Sequence, residues 1–315
     1  MTAYTKKDMK STEKRAARAA RRLEYASAGD KAMIALDYVL LTLVLILVLY
    51  PILFIIKSSF SGDVTGHNSY SLWVSNFSLG GYQTVFEYKP VWTAYGNSLC
   101  YMVVGTIINL VVTVCCAYPL SRGDLPGRRY ITFLFIFTMY FSGGLIPTYL
   151  LNRSLGLVDT FWAMVIPNAM SVYNMIVART YFNTQIPEEL QEAADLDGCG
   201  TLRFLWSIVI PLSGPILAVI GLFYAVSHWN SYFHAMIYLT TRSKFPLQVV
   251  LRDLLIVNES YWLSSDVADA AVDFQSRAAL MKYSLIVIAS APMMLIYPFV
   301  QKFFIKGVMI GAVKG

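Results

Sequence analysis

Residues Pro187–Pro215 read PEELQEAADLDGCGTLRFLWSIVIPLSGP. Glu188, Glu189, Glu192, Asp195 and Asp197 crowd into this stretch, and a long apolar run lies on each side of it. Pro187 suits the first position of a helix, and the acids that follow favour the positive end of its dipole. ELQEAADL is a good helix former, and Ala193 and Ala194 leave it a shallow surface. Gly198, with Gly200 close behind, permits a sharp change of direction before TLRFLWSIVI restarts a helix. The expected product is a helix–turn–helix that exposes acids and a patch of small residues. A connector that only joined two helices needs roughly 2–8 residues.

The surroundings define the setting. Of 315 residues, 57% are hydrophobic and 14% charged, against roughly 25% charged in a soluble domain, and the mean hydropathy is +0.54. That is the composition of an all-α polytopic membrane protein. The net charge of +6 does not point to nucleic acid, because much of it sits in residues 1–31, from Lys6, Lys7 and Lys10 through Arg21 and Arg22 to Lys31. This segment reads as a solvated basic cytoplasmic tail beside anionic lipid. No cleaved signal peptide is expected, since the first apolar run follows a long charged segment and is long enough to span. Cys100, Cys115, Cys116 and Cys199 form no CxxC, and His67, His228 and His234 lack the spacing of a helical metal pair, so neither disulfides nor a metal site is expected.

A membrane-crossing helix takes about 20 largely apolar residues. Tyr38–Ile56, Ser98–Leu120, Tyr130–Leu151, Thr160–Phe182, Trp206–Trp229 and Tyr283–Phe304 meet that length, which predicts six spans. Prolines such as Pro51, Pro119, Pro167, Pro211 and Pro215 inside or beside these runs favour a packed bundle, where neighbours satisfy the carbonyls that proline frees. Basic residues in the tail, in SRGDLPGRR after the second run, and at Lys302, Lys306 and Lys314 place both termini and the acidic stretch on the cytoplasmic side. The expected division is a basic tail over 1–31, a first span and external loop over 32–95, a core over 96–304 that contains the cytoplasmic loop 183–211, and a cytoplasmic C-terminal tail over 305–315.

The acidic stretch also carries a family signature. Glu192-Ala193-Ala194, three residues, Gly198, nine residues, Ile208, one residue and Ile210-Pro211 resembles the EAA motif of ABC importer permeases, which reads EAA-x3-G-x9-I-x-L-P. Ile210 stands where leucine is usual, a change that conserves volume. FSGGLIPTYLLNRSLGLVDTFWAMVIP (Phe141–Pro167), FYAVSHWNSYFHAMIYL (Phe223–Leu239) and YPFVQKFFIKGVMIGAVKG (Tyr297–Gly315) resemble the carbohydrate-uptake, MalG-like permeases of the YtcP/LplC-type subgroup. The resemblance implies the type-1 ABC importer (MetI-like) permease fold in a bacterial cytoplasmic membrane. It implies a non-catalytic subunit without bound cofactor, with ATP and Mg held by two partner ATPase subunits. It further implies a second homologous permease chain and an extracytoplasmic solute-binding protein that delivers the sugar. Glu192, Ala193, Ala194, Asp197, Gly198, Ile208 and Pro211 are then the ATPase-coupling residues, and Gly307, Gly311 and Lys314 a C-terminal ATPase contact.

Sugar recognition needs aromatic faces with amide or hydroxyl partners. Tyr173, Asn174, Trp229, Asn230 and Tyr232 are the candidates for a substrate pathway. Aromatics at a span end also serve as interfacial belt residues, and Tyr or Asn within a helix also serve packing. In MalG-like chains the resemblance assigns most sugar contacts to the partner permease. Three alternatives stay open on the sequence: a permease for a non-sugar solute, a secondary transporter and a membrane enzyme. A secondary transporter would need ionisable groups inside spans, and the six runs hold few. An enzyme would need a convergent catalytic set, for which His228 and His234 are the best available. On the expected topology, a membrane-impermeant maleimide applied to intact cells labels Ser69→Cys and Glu259→Cys but not Thr201→Cys, and labelling at position 201 would overturn it.

Overall fold

An apolar run without charges propagates a helix until proline, glycine or a polar cap stops it. In the computed structural model, which describes residues 27–62, 72–74, 76–254, 281–298 and 301, the first helix, α1, spans Ala28–Ser59 and is longer than the run that predicts it. Ser27 and Asp30 start it with a reciprocal capping box: Asp30 N–H donates to Ser27 Oγ (3.3 Å) and Ser27 N–H to Asp30 Oδ2 (3.0 Å). The best 18-residue window of α1 has a mean hydropathy of 3.1 and none of it is buried within the chain. An apolar surface of that extent needs lipid or another protein around it. The buried part of α1 among the described residues is its foot, Lys57–Ser59. Tyr82 Oη donates to Ser59 Oγ (2.9 Å), and Ser284 Oγ donates to Ser59 O (3.2 Å).

After α2 (Gly80–Glu87), α3 (Lys89–Ser121) forms the axis of the fold. Because α3 runs unbroken through residue 95, the expected boundary between a first unit and the core at 95/96 falls inside a helix. Val85 and Val91, from before that boundary, pack with Trp229, Leu247 and Leu285. Glycines let the helices approach closely. A Cβ on Gly105 would overlap the His228 ring, and one on Gly221 would touch Leu110 at 3.5 Å. The main core, at the end of α3 nearest the acidic stretch, gathers Tyr118, Met175, Phe182, Phe204, Val209 and Ile220.

The remaining runs do not stay straight. Arg128–Tyr140 (α4) and Leu145–Ser154 (α5) meet at 114°, and Thr201–Leu212 and Gly214–Trp229 (α10) meet at 83°. Gly144 has φ 84° at the first bend, a conformation costly for other residues. At the second bend Pro211 and Pro215 each remove a helix N–H. Ile210 N–H instead reaches back five residues to Leu205 O, in a wide turn over Leu205–Val209. The expected continuous helix Thr160–Phe182 is a correction: a 3-10 turn covers Phe161–Met164, and α6 begins at Val172 and continues to Gln185. Pro167 lies in the gap and biases the residue before it away from helix. Three helices, including Met281–Pro298 (α13), are long and apolar enough to cross a membrane among the described residues, or five if each bent pair is one span. Residues 1–26 of the expected 1–31 basic tail lie outside the described residues, while 28–31 form the start of α1; the C-terminal contact residues Gly307, Gly311 and Lys314 lie outside them too, as do positions 69 and 259.

Asp159 ties two loops together at the end of α3 away from the acidic stretch. Its φ of 55° is the sole positive value at a non-glycine among the described residues. Oδ1 accepts from the Thr240 and Thr241 N–H groups (3.0 Å each), while Oδ2 accepts from Thr241 Oγ1 (2.6 Å) and Lys244 Nζ (3.1 Å). The Thr241 hydroxyl first, then these backbone donors and Lys244, hold the Asp159 carboxyl well below the usual carboxylate range. A lowered folded-state value means that the anchor contributes fully above the unfolded pKa of about 3.9 and is lost as pH falls from there through the folded value. Asp159→Asn keeps the left-handed backbone accessible but removes the charge. It is expected to speed amide exchange at Thr240 and Thr241 at neutral pH and to expose Arg242 and Lys244 to trypsin. Unchanged exchange would show that the charge contributes nothing to the loop.

Candidate functional site: a docking loop and a polar cavity

The acidic stretch folds as two short helices with a defined turn. Helix α7 spans Glu188–Leu196 and α8 spans Thr201–Phe204. Between them Gly198 has φ 71°. Gly198 N–H donates to Asp195 O (3.0 Å) and Cys199 N–H to Ala194 O (2.9 Å). These two bonds are those of a Schellman motif, which satisfies the last carbonyls of α7 and requires a left-handed residue at this glycine. The turn fixes which side faces where. Ala194 is buried in the main core with Phe204 and Val209, whereas Glu192 and Ala193 are exposed. Leu196 and Leu202 stand 90% and 74% exposed at the tip. Asp197 closes α7, Ile208 packs partly against the core, and Pro211 is exposed just past the wide turn. The loop therefore keeps one face on the helix ends and leaves the other, acidic and apolar together, exposed.

Arg122 joins this loop to α3, and sequence reasoning treated it only as a loop charge. It is 7% exposed. Its guanidinium carbon lies 4.9 Å from the centre of the Tyr118 ring and 5.6 Å from that of Phe204, so a cation–π sandwich connects the end of α3 to α8. Arg128 Nη1 donates to Arg122 O (2.9 Å), and Arg179 Nε donates to Leu120 O (2.8 Å), which caps carbonyls at the C-terminal end of α3. The signal in the sequence is an aromatic one helical turn ahead of an arginine that ends an apolar run.

Near the middle of α3 lies a cavity of about 620 Å³. Its polar wall is chained together. His228 Nε2 meets Asn109 Oδ1 (3.1 Å), Asn109 Nδ2 donates to Asn168 O (2.7 Å), and Asn168 Nδ2 meets His234 Nε2 (3.1 Å). A carbonyl only accepts, so the Asn109 amide nitrogen must face Asn168 O, and its oxygen then takes the proton on His228 Nε2. Tyr224 Oη accepts from Ser171 N–H (3.0 Å) and shares a 2.7 Å bond with Thr113 Oγ1.

Of the residues read from the sequence as a substrate pathway, Asn174, Asn230 and Tyr232 line this cavity, and Tyr173 and Trp229 do not. Tyr173 is 59% exposed on another face of α6. Trp229 is 1% exposed, packs edge-on to Tyr95, and donates its indole N–H to Ala289 O (3.0 Å); it is a core residue. Asn109, Asn168, His228 and His234 were not read as pathway residues. The available signal was an amide or imidazole inside an apolar run, which costs free energy unless something bonds to it. Among the described residues no three His, Cys, Asp or Glu side chains converge as metal ligands.

Comparison with known proteins places this geometry. The chain is 41% identical over 266 residues to the protein LplC of Bacillus subtilis, covering 84% of this chain and 89% of LplC. It is 39% identical over 277 residues to the polygalacturonan/rhamnogalacturonan transport system permease protein YtcP of the same organism, covering 88% and 96%. A chain in the crystal structure of a bacterial ABC transporter that imports the acidic polysaccharide alginate superposes with a TM-score of 0.80 at 34% identity, covering 89% of this chain and 99% of that one. No family model matches the chain. The chain belongs to the sugar-transporter permeases of the ABC importers, in the YtcP/LplC group.

The buried place of Trp229 has a measurable consequence. Trp229→Phe keeps an aromatic ring but removes the indole bond to Ala289 O, at a cost of about 0.5–1.5 kcal/mol. The purified protein is expected to melt at a lower temperature; an unchanged midpoint would show that this bond adds nothing.

Proposed function

We propose that this chain is one of two different permease subunits of an ATP-driven importer that moves an oligosaccharide across a bacterial cytoplasmic membrane. The sugar transporters among its relatives support the substrate class. In this reading the chain crosses the membrane six times with both termini in the cytoplasm, the interrupted segment Phe161–Gln185 and each bent pair counting as one crossing. It catalyses nothing itself. Two ATPase subunits bind ATP and Mg beneath it, and an extracytoplasmic solute-binding protein presents the sugar from outside.

The observation that carries the reading is the two-faced loop. Ala194 is locked into the helix ends while Glu192, Leu196 and Leu202 face away. Glu192, Ala193, Ala194, Asp197, Gly198, Ile208 and Pro211 form the docking element for an ATPase subunit, and Gly307, Gly311 and Lys314 add a second contact from the C-terminal tail. Closure of the ATPase pair would push this element against α3 and α10 and shift the spans between inward-open and outward-open populations.

Two variants test the docking role. Gly198→Val places a β-branched residue at a left-handed position and costs about 1–3 kcal/mol in the turn. Glu192→Lys reverses the charge on the exposed face, where a mismatch across an interface costs several kcal/mol. Both are expected to insert normally and to pair with the second permease, yet to lose the ATPase subunits on purification and to lose uptake. Glu87→Lys, at the far end of α2, serves as the control and retains them. Complexes of Glu192→Lys and Gly198→Val that keep a full complement of ATPase and transport normally would refute the assignment.

A further inference from the structure

The cavity beside α3 is more than a gap between helices. Its wall carries amides, hydroxyls, imidazoles and aromatic rings and, among the described residues, no Asp, Glu, Lys or Arg. Most of its polar groups already have partners through the His228–Asn109–Asn168–His234 chain. Three lining groups have no side-chain partner among the described residues: the Ser227 and Tyr232 hydroxyls and the Asn174 amide. Asn174 is 6% exposed, and its amide atoms are not fully buried, so what remains accessible of the amide opens into the cavity. Water solvates such an amide until a group that both donates and accepts displaces it. Tyr232 and Phe233, 46% and 52% exposed, line the same cavity with their rings edge-on at 6.4 Å.

We propose that this chain contacts the sugar directly in transit, through an uncharged saccharide subsite in which the Asn174 amide, the Asn168–His234 pair and the Tyr232 ring meet one ring unit of the oligosaccharide. A sugar hydroxyl both donates and accepts, and so does a carboxamide; an aromatic face covers the apolar C–H face of a pyranose. Asn109 fixes the Asn168 carbonyl, and the Asn168 amide already meets His234 before the sugar arrives, so little ordering remains for the binding step. The absence of fixed charge has its own consequence. A transit site must bind strongly enough to admit the sugar and weakly enough to release it, and a buried lysine or arginine would retain an acidic saccharide. This wall therefore reads hydroxyls, and preference for acidic over neutral saccharides arises elsewhere in the importer. The inference rests on the oligosaccharide-importer reading above, and the two fail in different ways.

The test uses the complete importer in proteoliposomes, with its solute-binding protein, and a panel of trigalacturonate, mannuronate trimer, arabinotriose and maltotriose. Sugar imported per ATP hydrolysed is measured with whichever of these the wild type carries. Asn174→Leu keeps the volume and removes the amide; the yield of sugar per ATP is expected to fall about fivefold, the worth of one neutral hydrogen bond, with ATPase subunits retained. Tyr232→Ser, at an exposed position that tolerates substitution, is expected to lower the same ratio. Asn174→Asp places a carboxylate in the wall, and the yield for an acidic saccharide is expected to fall further than for a neutral one. A general folding defect lowers uptake and hydrolysis together and leaves the ratio unchanged. An unchanged ratio in both Asn174→Leu and Tyr232→Ser, whether the rates hold or fall in step, overturns the subsite and leaves the importer reading standing. A wild-type importer that carries none of the four saccharides overturns the oligosaccharide reading, and the subsite with it.

Discussion

A peptide group inside a bilayer has no water to bond, and the irregular parts of this chain are arranged around that constraint. The clearest case is the gap between Met164 and Val172. Its Asn168 carbonyl takes a hydrogen bond from Asn109 on α3, and its Ser171 N–H donates to Tyr224 on α10, whose hydroxyl is held in turn by Thr113. Side chains of two intact helices thus replace the helix bonds that Pro167 and its surroundings forgo. The same logic sends Arg179 to the Leu120 carbonyl at the end of α3. Breaks in the bundle persist because α3 stands beside them.

That arrangement produces the polar cavity as a by-product of backbone satisfaction. Asn109 must stay polar to serve Asn168, and His228 must follow to satisfy Asn109. Gly105 then has to remain without a side chain so that the His228 ring fits. A single broken segment therefore dictates a row of residues across two neighbouring helices. Asn174, which lies on the first turns of α6 just after the gap, is a member of this neighbourhood whose amide neither the backbone nor another side chain claims among the described residues.

At the other end of α3 the constraint is mechanical. Arg122, between the Tyr118 and Phe204 rings, and Ala194, in the core with Phe204, give the acidic loop two attachments to the spans. The Schellman turn at Gly198 keeps the attached face and the exposed face of the loop on opposite sides. A loop held only by its covalent ends could move without moving the helices, because a flexible connection transmits little force.

The helical, membrane-embedded character of the chain was legible in its apolar runs, and the helix–turn–helix of the acidic loop in its spacing, because both depend on local rules. Helix propensity, glycine at a left-handed turn and alanine at a close approach act over a few residues and leave a linear pattern. The continuity of the spans was not legible in the same way. Tyr130–Leu151, Thr160–Phe182 and Trp206–Trp229 each have the length and composition of one straight helix. They bend or break because partners elsewhere in the fold can take over the freed backbone groups. Nor did the sequence separate Tyr173 from Asn174 or show that Trp229 is core, since adjacent helical residues point about 100° apart and only the packed neighbours decide which face is the cavity. The sequence by itself determined that the chain is helical, lives in lipid and turns sharply at Gly198 between two short helices. The tertiary structure alone decided which polar side chains are consumed by the backbone and which remain free, because hydrogen bonds between residues 53 or more positions apart leave no periodic trace in the chain.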